Sequence, residues 1–270
     1  MAHVAQQFGG LDLEHYDSIL GPAQLEAIAA ELSSRLPSNP GGDVLELACG
    51  TGILTRQLRE RLDPAFRLVA TDLSAHMLEY AARKLAAKES IEWRKADMAA
   101  LPFADASFAA VVCSLGIMFV PEKDRAYGEA RRVLREGGQL LFNTWSGIAE
   151  NPQARIAGEV IEALFPGDAD MQIARIPMGY HEAEVIRRHL AQARLREVAI
   201  EKKAIPIRCE SARRYATGLV KGTPRAMLIS ERGRSPDEVI ERVAEALAHA
   251  GGDQPLELTA HILVIEARAV

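Results

Sequence analysis

Glu46-Leu47-Ala48-Cys49-Gly50-Thr51-Gly52 sets a carboxylate and two glycines between an apolar run, Val44 to Ala48, and a helix-spaced segment, Ile53 to Leu62. Glycine lets the chain turn sharply and lets a ligand approach main-chain atoms that a Cβ would screen. Asp72 follows twenty residues after Gly52, at the end of the next apolar run, Arg67 to Thr71. A carboxylate there can accept both hydroxyls of a ribose, and open parallel sheets bind ligands at the carboxyl ends of their strands. Together the loop and the acid predict an adenosine-binding crevice. The third glycine of a dinucleotide GxGxxG is replaced by Thr55, which weakens pyrophosphate binding, and no GxxxxGK[ST] offers a triphosphate cradle. The ligand expected is an adenosine without a phosphate chain.

The elements that must position these residues alternate. Strands are expected at 44–48, 67–71, Ile91 to Lys95, Phe108 to Ser114 and Gln139 to Thr144. Helices are expected between them: one opened by Pro22 and running to Leu36, one over 53–62, one capped by Ser74, and Lys123 to Leu134 ended by Gly137-Gly138. Such alternation predicts an α/β, doubly wound parallel sheet. Beyond it the order changes. Helices at Pro152 to Leu164 and Glu182 to Ala191 precede Arg196 to Lys202, whose charges alternate with Val198 and Ile200 as on a sheet edge. A helical insertion follows, its best-marked helix opened by Ser235-Pro236 with Glu238 and ended by Gly251-Gly252. The last strand, Leu256 to Ala267, holds the unbroken run Ile262 to Ile265 and belongs inside the sheet. Residues up to about Gly10 read as loose.

Composition narrows the partners. A formal charge of −5 leaves no overall footprint for a nucleic-acid backbone. Cys49, Cys113 and Cys209 have no metal-binding spacing, so no metal is expected and the thiols read as reduced. With neither a secretion signal nor an apolar run long enough to span a bilayer, the expectation is a cytoplasmic protein.

The motifs in order resemble the class I S-adenosylmethionine-dependent methyltransferases, particularly the quinone-biosynthesis-like branch. The matching residues are Val44 to Gly52, Ala70 to Ser74 with Met77, Ala96 to Met98, Leu101 to Phe103, Ser107-Phe108, and Arg132 to Arg135 with Gly137-Gly138. The resemblance implies a Rossmann-like seven-stranded sheet with its last strand antiparallel and helical cap insertions. It divides the chain into a helical cap segment at 1–40, a cofactor-binding core at 41–145, helices and an edge strand at 146–203, a helical insertion at 204–255, and the final strand at 256–270. It also implies S-adenosyl-L-methionine as cofactor. Gly50, Gly52 and Ala48 would line its methionine and ribose portion, with Glu46 beneath them. Asp72 would hold the ribose diol, Leu73 and Met77 the adenine face, and Asp97 with Met98 the adenine edge. Ser114 and Leu115 would face the transferring methyl. Tyr16, with His15, belongs to a segment that in similar proteins folds over the cofactor. Ala48 departs from the family's common glycine and could narrow the pocket by a methyl group.

Each role has a plainer alternative. Asp72 can cap a helix, Met77 can be core, and buried Glu46 can find its partner in backbone rather than ligand. His181 and Tyr180 are candidates for proton transfer, or residues at a helix start. Seven cations between Ala204 and Ser235 (Arg208, Arg213, Arg214, Lys221, Arg225, Arg232 and Arg234) suggest an anionic acceptor if that insertion covers the pocket, or a solvated face if it does not. The function expected is methyl transfer to a small molecule by in-line displacement. The rivals are a nicotinamide-dependent oxidoreductase and a protein that binds the cofactor without turnover. A nucleic-acid methylase is disfavoured by Leu115-Gly116-Ile117-Met118, where an Asn-Pro-Pro-Tyr motif would hold a flipped base.

Overall fold

The strands that carry the chemistry are those buried on both faces. Val44–Leu47 (β1) and Phe108–Ser114 (β4) are apolar nearly throughout and almost wholly buried, because helices cover the sheet on either side. Leu68–Asp72 (β2), Ile91–Lys95 (β3), Leu134–Trp145 (β5), Leu195–Cys209 (β6) and Leu256–Ala269 (β7) complete one sheet in the order β3-β2-β1-β4-β5-β7-β6. The first five strands are parallel, and β7 runs antiparallel between β5 and β6. Burial alternates along the edge strand β6, as its charge pattern predicts. This computed structural model describes residues 12–86, 90–172 and 175–270; the loose residues expected up to Gly10 lie outside the described residues.

Three boundaries differ from the sequence reading, each for a local reason. Pro22 does not open a helix. Leu13–His15 (α1) leads into π-helical turns over Tyr16–Leu25 and then Glu26–Ser34 (α2), with Pro22 inside the wider segment. A proline ring removes a hydrogen bond and crowds the carbonyl one turn back, and a π turn gives the room. The helix Lys123–Val133 stops before Gly137, and the chain is already extended from Leu134. Residues 135–138 form an irregularity where the pairing jumps from Phe108↔Leu134 to Ala110↔Gln139. Strand β6 runs to Cys209, so the inserted helices begin later, at Ala212–Lys221, Arg225–Glu231 and Pro236–Gly251. Ser235 caps the last of these through Asp237 N rather than Glu238.

Helices Ile53–Arg61 and Ala75–Lys84 follow β1 and β2 directly, so their first turns stand beside the carboxyl ends of those strands. Ser74 caps the second, accepting from Met77 N at 3.3 Å. Among the described residues, no helix is long and apolar enough to cross a membrane.

Candidate functional site

Two of the three left-handed positions of the loop are glycines, whose freedom suits them, and the third is an alanine. Ala48, Gly50 and Gly52 all take left-handed backbone angles, φ +53°, +56° and +81°. The loop is pinned to the neighbouring strand by Cys49 N to Thr71 O, 2.9 Å, and by Gly50 N to Asp72 Oδ2, 2.9 Å. Asp72 Oδ1 accepts from Ser74 N at 2.8 Å, so one carboxylate ties both turns together. Burial pushes its pKa up, against the pull of these N–H groups. A Cβ built on Gly50 would meet nothing within 4 Å, so the loop faces open space.

That space is a crevice lined by Ala48, Gly50, Asp72, Leu73, Met77, Asp97, Met98 and Ser114, all expected from the sequence, together with Tyr16 and Leu115. Asp97 Oδ1 accepts from Ala99 N at 2.9 Å, which fixes the turn after β3. Burial lifts the Tyr16 phenol to about 12. Glu46 and Gly52 do not line the crevice. Gly52 instead starts the helix after the loop, its Cα facing Leu85 and Ala81. Glu46 lies sealed under the loop, 1% exposed, and burial raises its pKa to about 8.

The sequence did not mark the opposite wall, made by Gly116, Phe119, Val120 and Pro121. Apolar residues after a buried strand carry the same signal as core; the one available clue was Gly116, where a Cβ would lie 2.5 Å from Ala48 Cβ and 2.8 Å from Cys113 Sγ. Asn143, fully buried on β5, also escaped notice. Its Oδ1 accepts from Leu115 N at 2.8 Å and lies 3.3 Å from Ser114 Oγ, holding Leu115 at φ +51°.

Tyr180 and His181 are outside the crevice walls. The Tyr180 hydroxyl lies 3.1 Å from that of Tyr127 and 2.9 Å from His189 Nδ1, with Lys123 Nζ over its ring. His181 Nδ1 lies 2.7 Å from Met178 O, and its Nε2 3.1 Å from Glu182.

A wider depression of about 900 Å³ is lined by Arg213, Arg234, Glu238, Glu241 and Arg242, among others, and includes no residue of the glycine loop. Its charges are mixed, and Arg213 is already paired with Glu241. The basic residues of the insertion are likewise engaged: Arg208 with Glu257, Arg214 with Glu210, Lys221 with Asp237, Arg232 with Asp168 and Asp170, and Arg234 over the Phe165 ring.

A methyltransferase domain family matches residues 44–138. The ubiquinone/menaquinone biosynthesis C-methyltransferase UbiE of Hahella chejuensis is 39% identical over 109 residues, 39% of this chain and 44% of that protein. The chain spans 44% to 64% of the length of the first curated relatives it matches. The YcgJ protein of Bacillus subtilis superimposes with a TM-score of 0.60 at 15% identity, over 89% of this chain and 97% of that one. Geranyl diphosphate C-methyltransferase of Streptomyces coelicolor A3(2), in complex with Mg2+, geranyl diphosphate and S-adenosyl-L-homocysteine, gives 0.52 at 18% identity, over 90% and 76%. These structural likenesses establish the fold.

Proposed function

Since residues 44–138 match a methyltransferase domain family and the chain shares its fold with geranyl diphosphate C-methyltransferase, we propose that the protein transfers a methyl group from S-adenosylmethionine to a small-molecule acceptor. One observation carries this reading: Gly50 N and Asp72 are joined at the head of a crevice that is also lined by Leu73, Met77, Asp97 and Met98, the residues expected to hold adenine.

The residues fit the cofactor. Asp72, half-buried and open to the crevice, presents a carboxylate to a ribose diol, and Asp97 stands at the adenine edge. Leu73, Met77 and Met98 give that base an apolar seat. Beneath the loop, Glu46, Thr51 and Thr55 are buried together, the Thr55 hydroxyl next to the Glu46 carboxyl.

The cofactor supplies an electrophilic methyl on a sulfonium, so the protein's work is alignment and exclusion of water. Holding the reacting groups in line can contribute roughly 7 to 11 kcal/mol. Ser114, Leu115 and Gly116, fixed by Asn143, set where the acceptor lies, while Phe119, Val120 and Pro121 keep that side apolar. No covalent intermediate is needed. Tyr180 serves this chemistry through the wall it supports: Lys123, which covers the Tyr180 ring, donates to Val120 O at 2.8 Å.

The Hahella relative is a C-methyltransferase of quinone biosynthesis, which favours a small organic acceptor here. Of the cations at 204–235, Arg208, Arg213, Arg214, Lys221 and Arg232 already face carboxylates.

The test is equilibrium binding of S-adenosylhomocysteine and NAD by calorimetry, followed by transfer of a labelled methyl group to a panel of phenols, hydroquinones and carboxylic acids. Micromolar homocysteine-nucleoside binding with labelled product is the expected outcome. NAD binding in its place refutes the proposal, and cofactor binding without any labelled product favours the rival without turnover.

A further inference from the structure

The acceptor side of the crevice is formed by the chain that leaves β4, Ser114 to Gly116 and Phe119 to Pro121. Its main-chain donors are already committed. Leu115 N donates to Asn143 Oδ1 at 2.8 Å, and Gly116 N turns toward the Cys113 sulfur. Phe119 N donates to Gly116 O at 3.1 Å and Val120 N to Ile117 O at 3.2 Å, while Pro121 has no N–H to give. No Lys, Arg or His lines the crevice among the described residues, whereas Asp72 and Asp97 do. Tyr16 registers that acidity: after burial, Asp17 and Asp72 are what raise its phenol.

Ser114 carries the one polar side chain of this wall, and Asn143 fixes the direction of its hydrogen. A main-chain N–H only donates, so the Asn143 group that faces Leu115 N is the amide oxygen. The same oxygen lies 3.3 Å from Ser114 Oγ, and because an amide oxygen only accepts, Ser114 is the donor of that bond. A serine hydroxyl has one hydrogen and two lone pairs. With the hydrogen turned toward Asn143, Ser114 offers the crevice lone pairs alone. Asn143 is wholly buried and does not line the crevice, so its own amide hydrogens stay behind the wall.

We infer that Ser114, oriented by Asn143, determines acceptor specificity by accepting a hydrogen bond from an uncharged O–H or N–H group on the methyl acceptor. The inference rests on the methyltransferase reading. A carboxylate or phosphate meets two aspartates and the lone pairs of Ser114, with no lining side chain of opposite charge. An ether sets lone pair against lone pair. The acceptor selected is thus neutral, not the anion that the cations at 204–235 suggest.

The experiment titrates 1-naphthol, 1-naphthylamine, 1-methoxynaphthalene and 1-naphthoate into protein saturated with S-adenosylhomocysteine, followed by fluorescence. One ring system in four forms isolates the polar contact. Naphthol or naphthylamine should bind about fivefold or more tighter than both the ether and the carboxylate, a difference of about 1 kcal/mol. A hydroxyl on the acceptor is indicated if naphthol leads, an amine if naphthylamine leads. Ser114→Ala should bring the ether and the two donors within about twofold of one another. Asn143→Leu should narrow the gap as well, because the freed serine hydrogen can then serve the ether oxygen; a merely structural role would lower all four affinities together. Equal binding of the four probes, tightest binding of naphthoate, no binding of any probe, or a preference that survives Ser114→Ala overturns the inference. Should Asn143→Leu fail to fold, the wild type and Ser114→Ala decide it. Failure of the wild type to bind S-adenosylhomocysteine overturns the methyltransferase reading, and the inference with it.

Discussion

The main-chain N–H of Gly50 lies 2.9 Å from Asp72 Oδ2, so the loop after the first strand and the acid ending the second close upon each other at one end of the sheet. A second carboxylate oxygen holds Ser74 N. The acid is therefore both a part of the fold and the proposed ribose contact.

Asp72→Ala should weaken S-adenosylhomocysteine binding by at least about tenfold, given about 1.5 to 3 kcal/mol for hydrogen bonds to a charged group. Calorimetry measures it, with thermal unfolding recorded alongside because Gly50 N and Ser74 N lose their acceptor. An unchanged dissociation constant would remove Asp72 from the site.

Ala48 and Gly116 should behave as a coupled pair. Ala48 holds φ +53°, a conformation that costs a non-glycine residue roughly 1 to 2 kcal/mol, so Ala48→Gly should stabilise by up to about 1 kcal/mol after the entropy glycine loses. Gly116→Ala forces a Cβ to 2.5 Å from Ala48 Cβ and should destabilise by about 1 to 3 kcal/mol. In urea titrations the double variant should recover part of that loss, though contact with Cys113 Sγ persists. Simple additivity of the two changes would contradict the contact.

Glu46 gives the protein without cofactor a pH dependence of defined sign. Burial raises its folded pKa from 4.5 to about 8, so the folded state keeps a proton that the unfolded chain releases. Its contribution is full below pH 4.5 and is lost as pH rises through about 8. Glu46→Gln should flatten this fall in stability, worth at most about 5 kcal/mol. Denaturation midpoints from pH 5 to 9 test it, and parallel curves for the two proteins would show that Glu46 is ionised in the fold.

Tyr16→Ala removes an aromatic wall of the crevice. Losing roughly 1 to 2 kcal/mol of apolar contact should weaken S-adenosylhomocysteine by about fivefold to thirtyfold. If binding is unaltered, the ring packs only against the cap.

Residues whose chemistry is local were legible in the sequence. Gly50, Asp72, Ser74 and Asp97 each sit where a strand becomes a turn, and their type alone limits what that turn can do. Residues whose role comes from a distant partner were not. Phe119 and Val120 look like core until β4 ends beside the loop, and Asn143 gains its meaning only from Leu115, 28 positions away in the chain. The cations at 204–235 read as a charged face because sequence does not show that Arg213 meets Glu241 or that Arg232 meets Asp168. Arg225 was one of seven there, and only burial separates it from the rest. Pro22 misled because its ordinary place is a helix start, and a π segment has no compositional signature.

The final strand belongs to two structures at once. From Ile262 to Arg268 it is stitched to β5, and from Leu256 to Ala269 to β6, so its first residues, Leu256 to His261, pair with β6 alone. Cys209 and Leu256, the residues that flank the inserted helices, are themselves register partners on adjacent strands. The insertion therefore leaves the sheet and returns to it at one place, and its length can change without shifting the strands that hold the glycine loop.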